Sequence, residues 1–376
     1  MPVPDPVAAP QDAWETTGVL EVLAGRGGFL RDPGRSYAPG PGDVWVSPEL
    51  IRGYRLVEGA MVHGDAADGD RGPRLHTVRS VCGLDPARFA SRTPFDRLTA
   101  VSPDQRIRLG DSGDPSMRIV DLVAPIGKGT RGMIVAQPKS GKTTLLEKMA
   151  HAVRAVEPDM RLIVLLIDER PEEVTHFRRQ VDAEVLASSS DQDVESHARL
   201  AEMALGHIRT ELECGRDVFV LVDSLTRMAR AFNQVTAGSR RTLSGGLDVS
   251  ALEVPRRFFG LARKAENGGS VTVVATAMVG TGSRMDDYIF EEFKGTGNSE
   301  IILDRSLADS RIFPAIHIAS SGTRRDEKLM TAGEWETAAR LRRKWIKMEP
   351  AEAMKELLAI VKQTDNNSDL PGMDVM

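Results

Sequence analysis

The chain has 376 residues, a length that suits two domains of roughly 100 to 200 residues each. Its 41% hydrophobic and 27% charged residues are typical of a globular protein, and its net charge of −5 excludes a general electrostatic affinity for nucleic acid, so any such contact must be local. No apolar run reaches the roughly 20 residues that span a bilayer, and the proline-rich, acidic start has no signal-peptide pattern, so we expect a cytoplasmic protein.

The composition of successive segments predicts two domains with disordered ends. Residues 1–16 and 363–376 are polar, proline-bearing or aperiodic, and we predict both to be disordered. Residues 17–90 contain short apolar pieces between glycine- and proline-rich turns, which predicts a small β-barrel or sandwich. Residues 91–115 lack sustained periodicity and are predicted to be a connector. From 116 to 362, apolar strand-like runs alternate with helix-like ones, which predicts a parallel sheet covered on both faces.

The predicted barrel carries aromatic and basic residues on two short strands. "GGFLR" contains Phe29 and Arg31, and "DVWVS" contains Trp45. Proteins that bind single strands stack bases on such aromatic faces, so these three residues are candidate RNA contacts. The alternative is that the aromatics belong to the barrel core. The two cysteines, Cys82 and Cys214, are far apart in the sequence and are predicted to be reduced structural thiols.

The segment "IVAQPKSGKTTLL" matches a phosphate-binding loop except at its first position. Gly141, Lys142 and Thr143 occupy the places of glycine, lysine and hydroxyl residue, but Ala136 stands where the opening glycine is usual. A strand before the loop and a helix from about Thr143 supply the expected context. We predict that the loop surrounds the phosphates with a run of eight residues: Gln137, Pro138, Lys139, Ser140, Gly141, Lys142, Thr143 and Thr144.

Two further strands are predicted to end in carboxylates. "DVFVLVDS" ends in Asp223, which with Thr143 would form a Mg²⁺ site; the alternative is an aspartate that caps the next helix. "VLLIDERPEEV" contains Glu169, the candidate for activating the attacking water, because its strand is expected to neighbour the phosphate loop. The alternative for Glu169 is a surface salt-bridge cluster.

Basic residues on two glycine-rich segments are candidates for contact with a polyanion. "TAGSRRTLSGG" carries Arg240 and Arg241, and "GTGSRMDDYIFEEFKGTGN", also interpreted as a loop, carries Lys294 followed by Gly295. Solvated loop charges are an equal alternative. An arginine that completes the catalytic site has no local motif, so the residues alone leave Arg227, Arg311 and Arg324 open.

Taken together, these segments resemble the family of the bacterial transcription termination factor Rho, a ring-shaped RNA-dependent ATPase. The resemblance covers about residues 18 to 362 and rests on "DLVAPIGKGTRGMIVAQPKSGKTTLL", "LLIDERPEEVT", "DSLTRMARAFN", "EEFKGTGN" and "RIFPAIHIASSGTRR". It implies an α/β RecA-like phosphate-loop ATPase domain behind a small all-β barrel of the OB or cold-shock type. The family's own phosphate loop also opens with alanine.

The resemblance also implies roles for individual residues. ATP and Mg²⁺ would be held by Lys139, Lys142, Thr143 and Asp223, with Glu169 activating water and Arg170 beside the γ-phosphate. Arg324 matches an arginine finger that a neighbouring subunit inserts, and Phe313 matches the aromatic that packs on adenine. Loops at 236–246 and 281–298 would line the RNA channel of a homohexamer, with Lys294 gripping the strand. RNA polymerase and elongation factors are the implied partners.

The chain departs from the family pattern in its barrel. Only about 16 unstructured residues are expected before the barrel, where the family has a small helical subdomain. Gly27 stands where a second aromatic is usual, and "RGPRLHTV" offers no aromatic either, which predicts weaker pyrimidine selectivity. Two alternatives are a rotary ATP synthase or secretion ATPase subunit, which should have the glycine-opened loop and no aromatic barrel, and a non-catalytic RNA-binding ring.

Overall fold

The computed structural model describes residues 10–70, 72–236 and 246–372. Its first part is a closed five-stranded barrel with the strand order β1-β2-β3-β5-β4. The strands are β1 Trp14–Leu23, β2 Gly27–Arg31, β3 Val44–Val46, β4 Met61–Gly69 and β5 Gly72–Val81, and helix α1 Pro48–Gly53 follows β3. The prediction of a small all-β barrel is therefore confirmed.

The segment after the barrel is part of the second domain rather than a free connector. α2 Pro86–Ala90 still packs on the barrel, because its Phe89 is buried in the barrel cluster. The short strand β6 Ala100–Val101 and helix α3 Pro115–Val123 follow. β6 pairs with β11 (Arg263–Ala265), and the side chains of Ile107 and Leu109 are fully buried in the core of the second domain. These apolar residues have no periodic pattern, which is why the sequence did not predict their burial.

The second domain is an α/β layer structure around a nine-stranded sheet. Its main path runs β14-β13-β7-β12-β10-β8-β9, and β6 and β11 extend it beside β12. The strands on that path are β7 Arg131–Ala136, β8 Arg161–Glu169, β9 Glu184–Ser189, β10 Asp217–Asp223, β12 Ser270–Met278, β13 Ser299–Ile302 and β14 Gly322–Thr323. On that path all neighbours from β13 to β9 pair in parallel, as predicted, and β14 pairs antiparallel with β13. The pairs β11–β12 and β6–β11 are also antiparallel.

Helices cover both faces of this sheet and bury two apolar clusters, one on each side. The helices are α4 Lys142–Val156, α5 Pro171–Gln180, α6 Val194–Glu213, α7 Leu225–Val235, α8 Glu253–Gly260, α9 Arg284–Lys294, α10 Arg305–Asp309, α11 Ala332–Trp345 and α12 Pro350–Gln363. In the described parts of the chain, no helix is long and apolar enough to cross a membrane.

The two ends of the described chain are more ordered than predicted. β1 begins at Trp14, whose strand pairs with β4, so residues 14–16 are ordered. After α12, a 3-10 helix spans Asn367–Gly372; Asn367 Nδ2 donates to Arg118 O at 2.9 Å, and Leu370 is buried in the core. Both ends are ordered by contacts with residues that are distant in the sequence. A short polar segment has no local pattern that predicts such contacts.

Helix α6 joins the barrel to the second domain. His207 Nδ1 donates to Gly59 O at 2.8 Å, and burial lowers the pKa of this histidine. Arg199 Nε donates to Glu21 Oε1 at 2.7 Å. The two cysteines also meet at this junction, where both are free thiols packed on the barrel cluster; a hydrogen bond with Cys214 and burial raise the pKa of Cys82.

Candidate ATP and RNA sites

The phosphate loop connects β7 to α4 at the carboxyl edge of the sheet. Ala136 is the last residue of β7, is 2% exposed and has no positive φ, so this position does not require glycine. The turn is made instead by Lys139 at φ 64° and Gly141 at φ 90°. The Oγ hydroxyl of buried Ser140 donates to Gln137 O at 2.8 Å and closes the turn. Helix α4 then begins at Lys142, which directs its N-terminal N–H groups to the loop.

Lys142 contacts both predicted carboxylates. Its Nζ lies 2.5 Å from Asp223 Oδ1 and 3.4 Å from Glu169 Oε1. Burial acts to lower the pKa of Lys142, but the charges of Asp223 and Glu169 outweigh it and raise that pKa above its ordinary value. The lysine is therefore a firmly cationic group at the centre of the site.

Glu169 ends β8 and is 2% exposed, which excludes a surface salt-bridge cluster. Burial, followed by the charge of Asp223, raises the pKa of Glu169 above its usual range. β12 and β10 separate β8 from β7 in the sheet, so Glu169 reaches the phosphate loop only through its contact with Lys142. Lys142 bridges the gap because its long side chain reaches across the carboxyl edge.

Asp223 ends β10 and is 1% exposed. It does not cap the next helix, since Ser224 fills that role by accepting from the Arg227 N–H at 3.1 Å. Thr276 Oγ1 donates to Asp223 Oδ1 at 2.8 Å, while Oδ2 is buried and has no hydrogen-bond partner among the described residues. An orphaned carboxylate oxygen suits a hard cation.

Thr143 lies in the first turn of α4 on the same side of the site. Its Oγ1 hydroxyl donates to Glu173 Oε2 at 3.4 Å. Glu173 had no recognisable motif, and neither had Thr276, because both reach the site through the fold rather than through a local pattern. The Glu173 carboxylate nevertheless contacts Thr143, and the Thr276 hydroxyl contacts Asp223, the two predicted metal-binding residues.

The remaining predicted nucleotide contacts surround the loop. Gln137, Pro138, Lys139, Thr144 and Arg170 are all exposed there. Phe313 is 47% exposed, and its ring carbon Cε1 lies 3.3 Å from the point that a Cβ on Gly141 would occupy. The structure therefore brings this aromatic from far along the chain to the loop, on an open face suited to a flat base.

The three candidate arginines lie in different places. Arg227 Nε is 3.1 Å from Glu169 Oε1, and Nη1 is 3.2 Å from Asp168 Oδ2, so this residue serves the site of its own chain. Arg311 is exposed in the turn before Phe313.

Arg324 lies at the amino edge of the sheet, opposite the phosphate loop. Its N–H donates to Asn298 O at 2.7 Å, and Asn298 N–H donates to Arg131 O at 2.9 Å, at the start of β7. The length of β7, about 17 Å at roughly 3.3 Å per residue, therefore separates this backbone from the loop. The Arg324 side chain is exposed and makes no hydrogen bond or ion pair within the described part of the chain.

The predicted channel segments are only partly described. Arg240 and Arg241 lie outside the described residues. The interpretation of residues 281–298 as a loop is wrong for most of its length, because α9 spans Arg284–Lys294; its N-cap Ser283 and acidic first turn start the helix. Lys294 and Gly295 end that helix and are exposed.

The barrel presents its two aromatics side by side. Phe29 and Trp45 are direct cross-strand partners on β2 and β3, and both are partly exposed. Arg74 lies with its guanidinium carbon 4.6 Å from the Trp45 ring centroid. Gly27 has no room for a side chain, because its Cβ would lie 2.4 Å from Val46 O.

Arg31 does not face solvent as a direct RNA contact would. It is 8% exposed, and its guanidinium is bound by the carboxylates of Glu21 and Asp43. The guanidinium carbon lies 4.8 Å from the Phe29 ring centroid, so Arg31 supports that aromatic from within the barrel. The prediction of a direct contact is corrected accordingly.

Family models match both domains. Residues 16–87 match the Rho termination factor RNA-binding domain, and residues 116–323 match the nucleotide-binding domain of the ATP synthase alpha/beta family. Two solved structures share the fold. An ATPase from the type III secretion system of pathogenic bacteria has a TM-score of 0.61 and 23% identity, over 81% of this chain and 90% of that one. The assembled ATPase EscN of enteropathogenic E. coli has a TM-score of 0.58 and 25% identity, over 75% of this chain and 64% of that one.

The fold and the site thus define a phosphate-loop ATPase that carries an RNA-binding barrel, a combination that excludes a rotary or secretion ATPase subunit. Two relatives named transcription termination factor Rho are each 46% identical to this chain. The Cereibacter sphaeroides protein aligns over 94% of this chain and 85% of its own length, and the Chromobacterium violaceum protein over 93% and 85%. The chain belongs to the transcription termination factor Rho family.

Proposed function

We propose that the protein is an RNA-dependent ATP hydrolase that ends transcription. It binds nascent RNA, moves along it in the 5′ to 3′ direction through a homohexameric ring, and releases the transcript from RNA polymerase. The observation that carries the proposal is the joining, in one chain, of an RNA-binding barrel and a site in which Lys142, Glu169 and Asp223 meet.

The chemistry of the site follows from its charges. Lys142 is cationic, and it exchanges its contact with Asp223 for the β- and γ-phosphates of ATP. Glu169 accepts the proton of the attacking water, while Arg227 holds its carboxylate and Arg170 stands at the γ-phosphate. Phe313 packs on the adenine.

Mg²⁺ fits the residues present. The orphaned Oδ2 of Asp223 and the Thr143 hydroxyl offer hard oxygen donors, and Mg²⁺ is usually held by one or two protein ligands together with phosphate and water. The ion would neutralise charge on the phosphates.

Arg324 completes the site of a neighbouring subunit. Its position at the amino edge, about 17 Å of strand from its own phosphate loop, supports a role across a subunit boundary. Removing such a finger typically lowers turnover by 10³- to 10⁵-fold, as in other phosphate-loop enzymes. A ring of subunits supplies this geometry at every boundary.

RNA meets the protein in two places. Phe29 and Trp45 stack bases on the barrel, with Arg74 beside them, and Lys294 with Gly295, Arg240 and Arg241 contact the strand in the ring. With two aromatic partners rather than more, and an arginine over Trp45, barrel binding is salt-sensitive and weakly selective for pyrimidines. The name of the relatives supports a role in transcription termination. Such a role would place the protein in the cytoplasm, where it would work with RNA polymerase and elongation factors.

The test is ATP hydrolysis by the intact protein without RNA and with cytidine or adenosine homopolymers, at two salt concentrations. We expect stimulation by RNA, lost in Lys142→Ala, with a small cytidine preference that fades at high salt. Hydrolysis that does not respond to RNA would contradict the proposed RNA dependence. RNA binding without any hydrolysis would indicate a non-catalytic ring.

A further inference from the structure

Arg342 of helix α11 lies directly behind the strand that leads to Arg324. Its Nη2 donates to two backbone carbonyls, Val123 O and Ser321 O, each at 2.7 Å. Ser321 is 2% exposed and immediately precedes β14. One guanidinium therefore ties the end of α3 to the start of β14.

The strand is pressed against this guanidinium. A Cβ on Gly322 would lie 3.3 Å from Arg342 Nη1, so a side chain at this position would require the guanidinium to shift slightly. The next residue is held from the other side, since Thr323 Oγ1 donates to Pro125 O at 2.8 Å. Segments 123–125 and 321–323 are thus joined at two points.

The Arg324 side chain itself has no hydrogen bonds like those that hold the backbone of residues 321–323, within the described part of the chain. It lines an open cavity of about 320 Å³ together with Arg342 and Asn298. The Arg324 side chain has no partner in the described part of the chain. Its position therefore depends on the backbone segment that Arg342 and Thr323 hold in place.

We propose that Arg342 is a positioning residue for Arg324, setting the backbone from which Arg324 reaches the nucleotide of a neighbouring subunit. The inference rests on the proposed role of Arg324 across the subunit boundary. Burial lowers the pKa of Arg342, and the two carbonyls that accept from Nη2 offset part of the cost of removing this half-buried guanidinium from water. Such a residue acts on turnover without touching ATP.

Arg342→Ala should lower kcat by about 10- to 100-fold at saturating RNA, since a displacement of about 1 Å at a catalytic group costs up to that much. The KM for ATP should change little, because the phosphate loop is untouched. Arg342→Lys, which keeps a cationic donor, should lose less. Arg343→Ala is the matched control, on the same helix and exposed, and should behave as the unaltered protein.

Subunit mixing separates a positioning role from general damage. Arg342→Ala subunits mixed with Lys142→Ala subunits should regain activity, because some boundaries then pair an intact loop with an intact finger. Mixed with Arg324→Ala subunits they should not. If Arg324→Ala rescues Lys142→Ala but neither Arg342 variant does, the inference is wrong.

The other outcomes are also decisive. If even Arg324→Ala fails to rescue Lys142→Ala in rings shown to be mixed, the proposed function across the boundary fails first, and the role of Arg342 falls with it. If Arg342→Ala does not fold, Arg342→Lys carries the same test: an unchanged kcat in that folded variant, or a lowered kcat that mixing with Lys142→Ala subunits does not recover, would overturn the inference.

Discussion

At the scale of single residues, Glu169 is a buried carboxylate between two opposing influences. Asp223 and the loss of water raise its pKa, whereas Lys142 and Arg227 lower it. A general base works best when its pKa lies near the operating pH, so a raised value favours proton acceptance from water.

Replacing Glu169 with glutamine should retain ATP binding and abolish turnover. The amide preserves the shape of the side chain and can still contact Lys142, but it cannot accept a proton. Nucleotide affinity by calorimetry and hydrolysis at saturating RNA measure the two properties separately. Loss of ATP binding along with turnover would mean that Glu169 is structural.

The raised pKa of Glu169 also predicts the acid side of the pH profile. Turnover requires the carboxylate, and the protonated fraction grows as pH falls through the raised pKa. Activity should therefore be lost at a higher pH than an ordinary glutamate, near pKa 4.3, would allow. Arg227→Gln removes a charge that lowers this pKa, so the acid limb of kcat should move further up the pH scale. A limb that does not move would remove Arg227 from this role.

At the scale of elements, helix α7 links the ATP site to the predicted RNA channel. It starts after Asp223, carries Arg227 against Glu169, and one turn later carries Arg230. Arg230 forms two hydrogen bonds, of 2.8 and 2.6 Å, to Asp286 near the start of α9. Since α9 ends in Lys294, a shift of α7 at the nucleotide would be passed to this lysine.

Asp286→Asn should therefore uncouple the two sites. Asp286 is fully buried, so the amide leaves Arg230 without its charge partner, while the nucleotide contacts remain. We expect RNA-free hydrolysis to persist and the stimulation by RNA to fall. The ratio of kcat with and without RNA is the measurement, and exposed Asp287→Asn, the neighbouring residue, is the control. An unchanged ratio would argue against α7 as the link.

The elements of the site were largely predictable, and their arrangement was not. The strands that end in Glu169 and Asp223 could be predicted, because each is an apolar run followed directly in the sequence by its functional carboxylate. Strand order depends on pairing between distant segments, so the sequence did not predict that β12 and β10 lie between β7 and β8. For the same reason the sequence could not choose Arg227 from the three candidate arginines, while burial of Arg31 depends on Glu21 and Asp43 across the barrel.

At the scale of the whole molecule, the barrel is attached to the ATPase domain through a close backbone crossing. Gly59 has φ 81°, and a Cβ there would lie 2.1 Å from both Gly206 C and His207 N. Such contact between barrel and helix α6 leaves no space for any other residue. RNA held by the barrel is therefore coupled to the ATPase domain without a flexible joint at this point.

Gly59→Ala should disrupt this crossing. Gly25→Ala is the matched control, because Gly25 also has a positive φ, of 70°, but nothing lies within 4 Å of its Cβ position. Gly25→Ala should lower the free energy of unfolding by roughly 1 to 2 kcal/mol, the cost of a left-handed backbone for alanine. Gly59→Ala adds a clash with backbone atoms, which typically lowers it by about 1 to 3 kcal/mol more. Urea unfolding of the two variants compares them; equal midpoints would show that the junction is loose.

Lys142 and Arg324 lie at opposite edges of the sheet, and this arrangement predicts how activity depends on protein concentration. With the role proposed for Arg324, one chain would contain two halves of different sites and no complete one, and the catalytic unit would be the boundary between chains. Diluting the protein should lower its activity per chain more steeply than its ATP binding, since the phosphate loop is complete in every chain while the boundary is lost on dissociation. The order of hydrolysis in protein concentration should accordingly exceed one below the concentration at which the ring assembles.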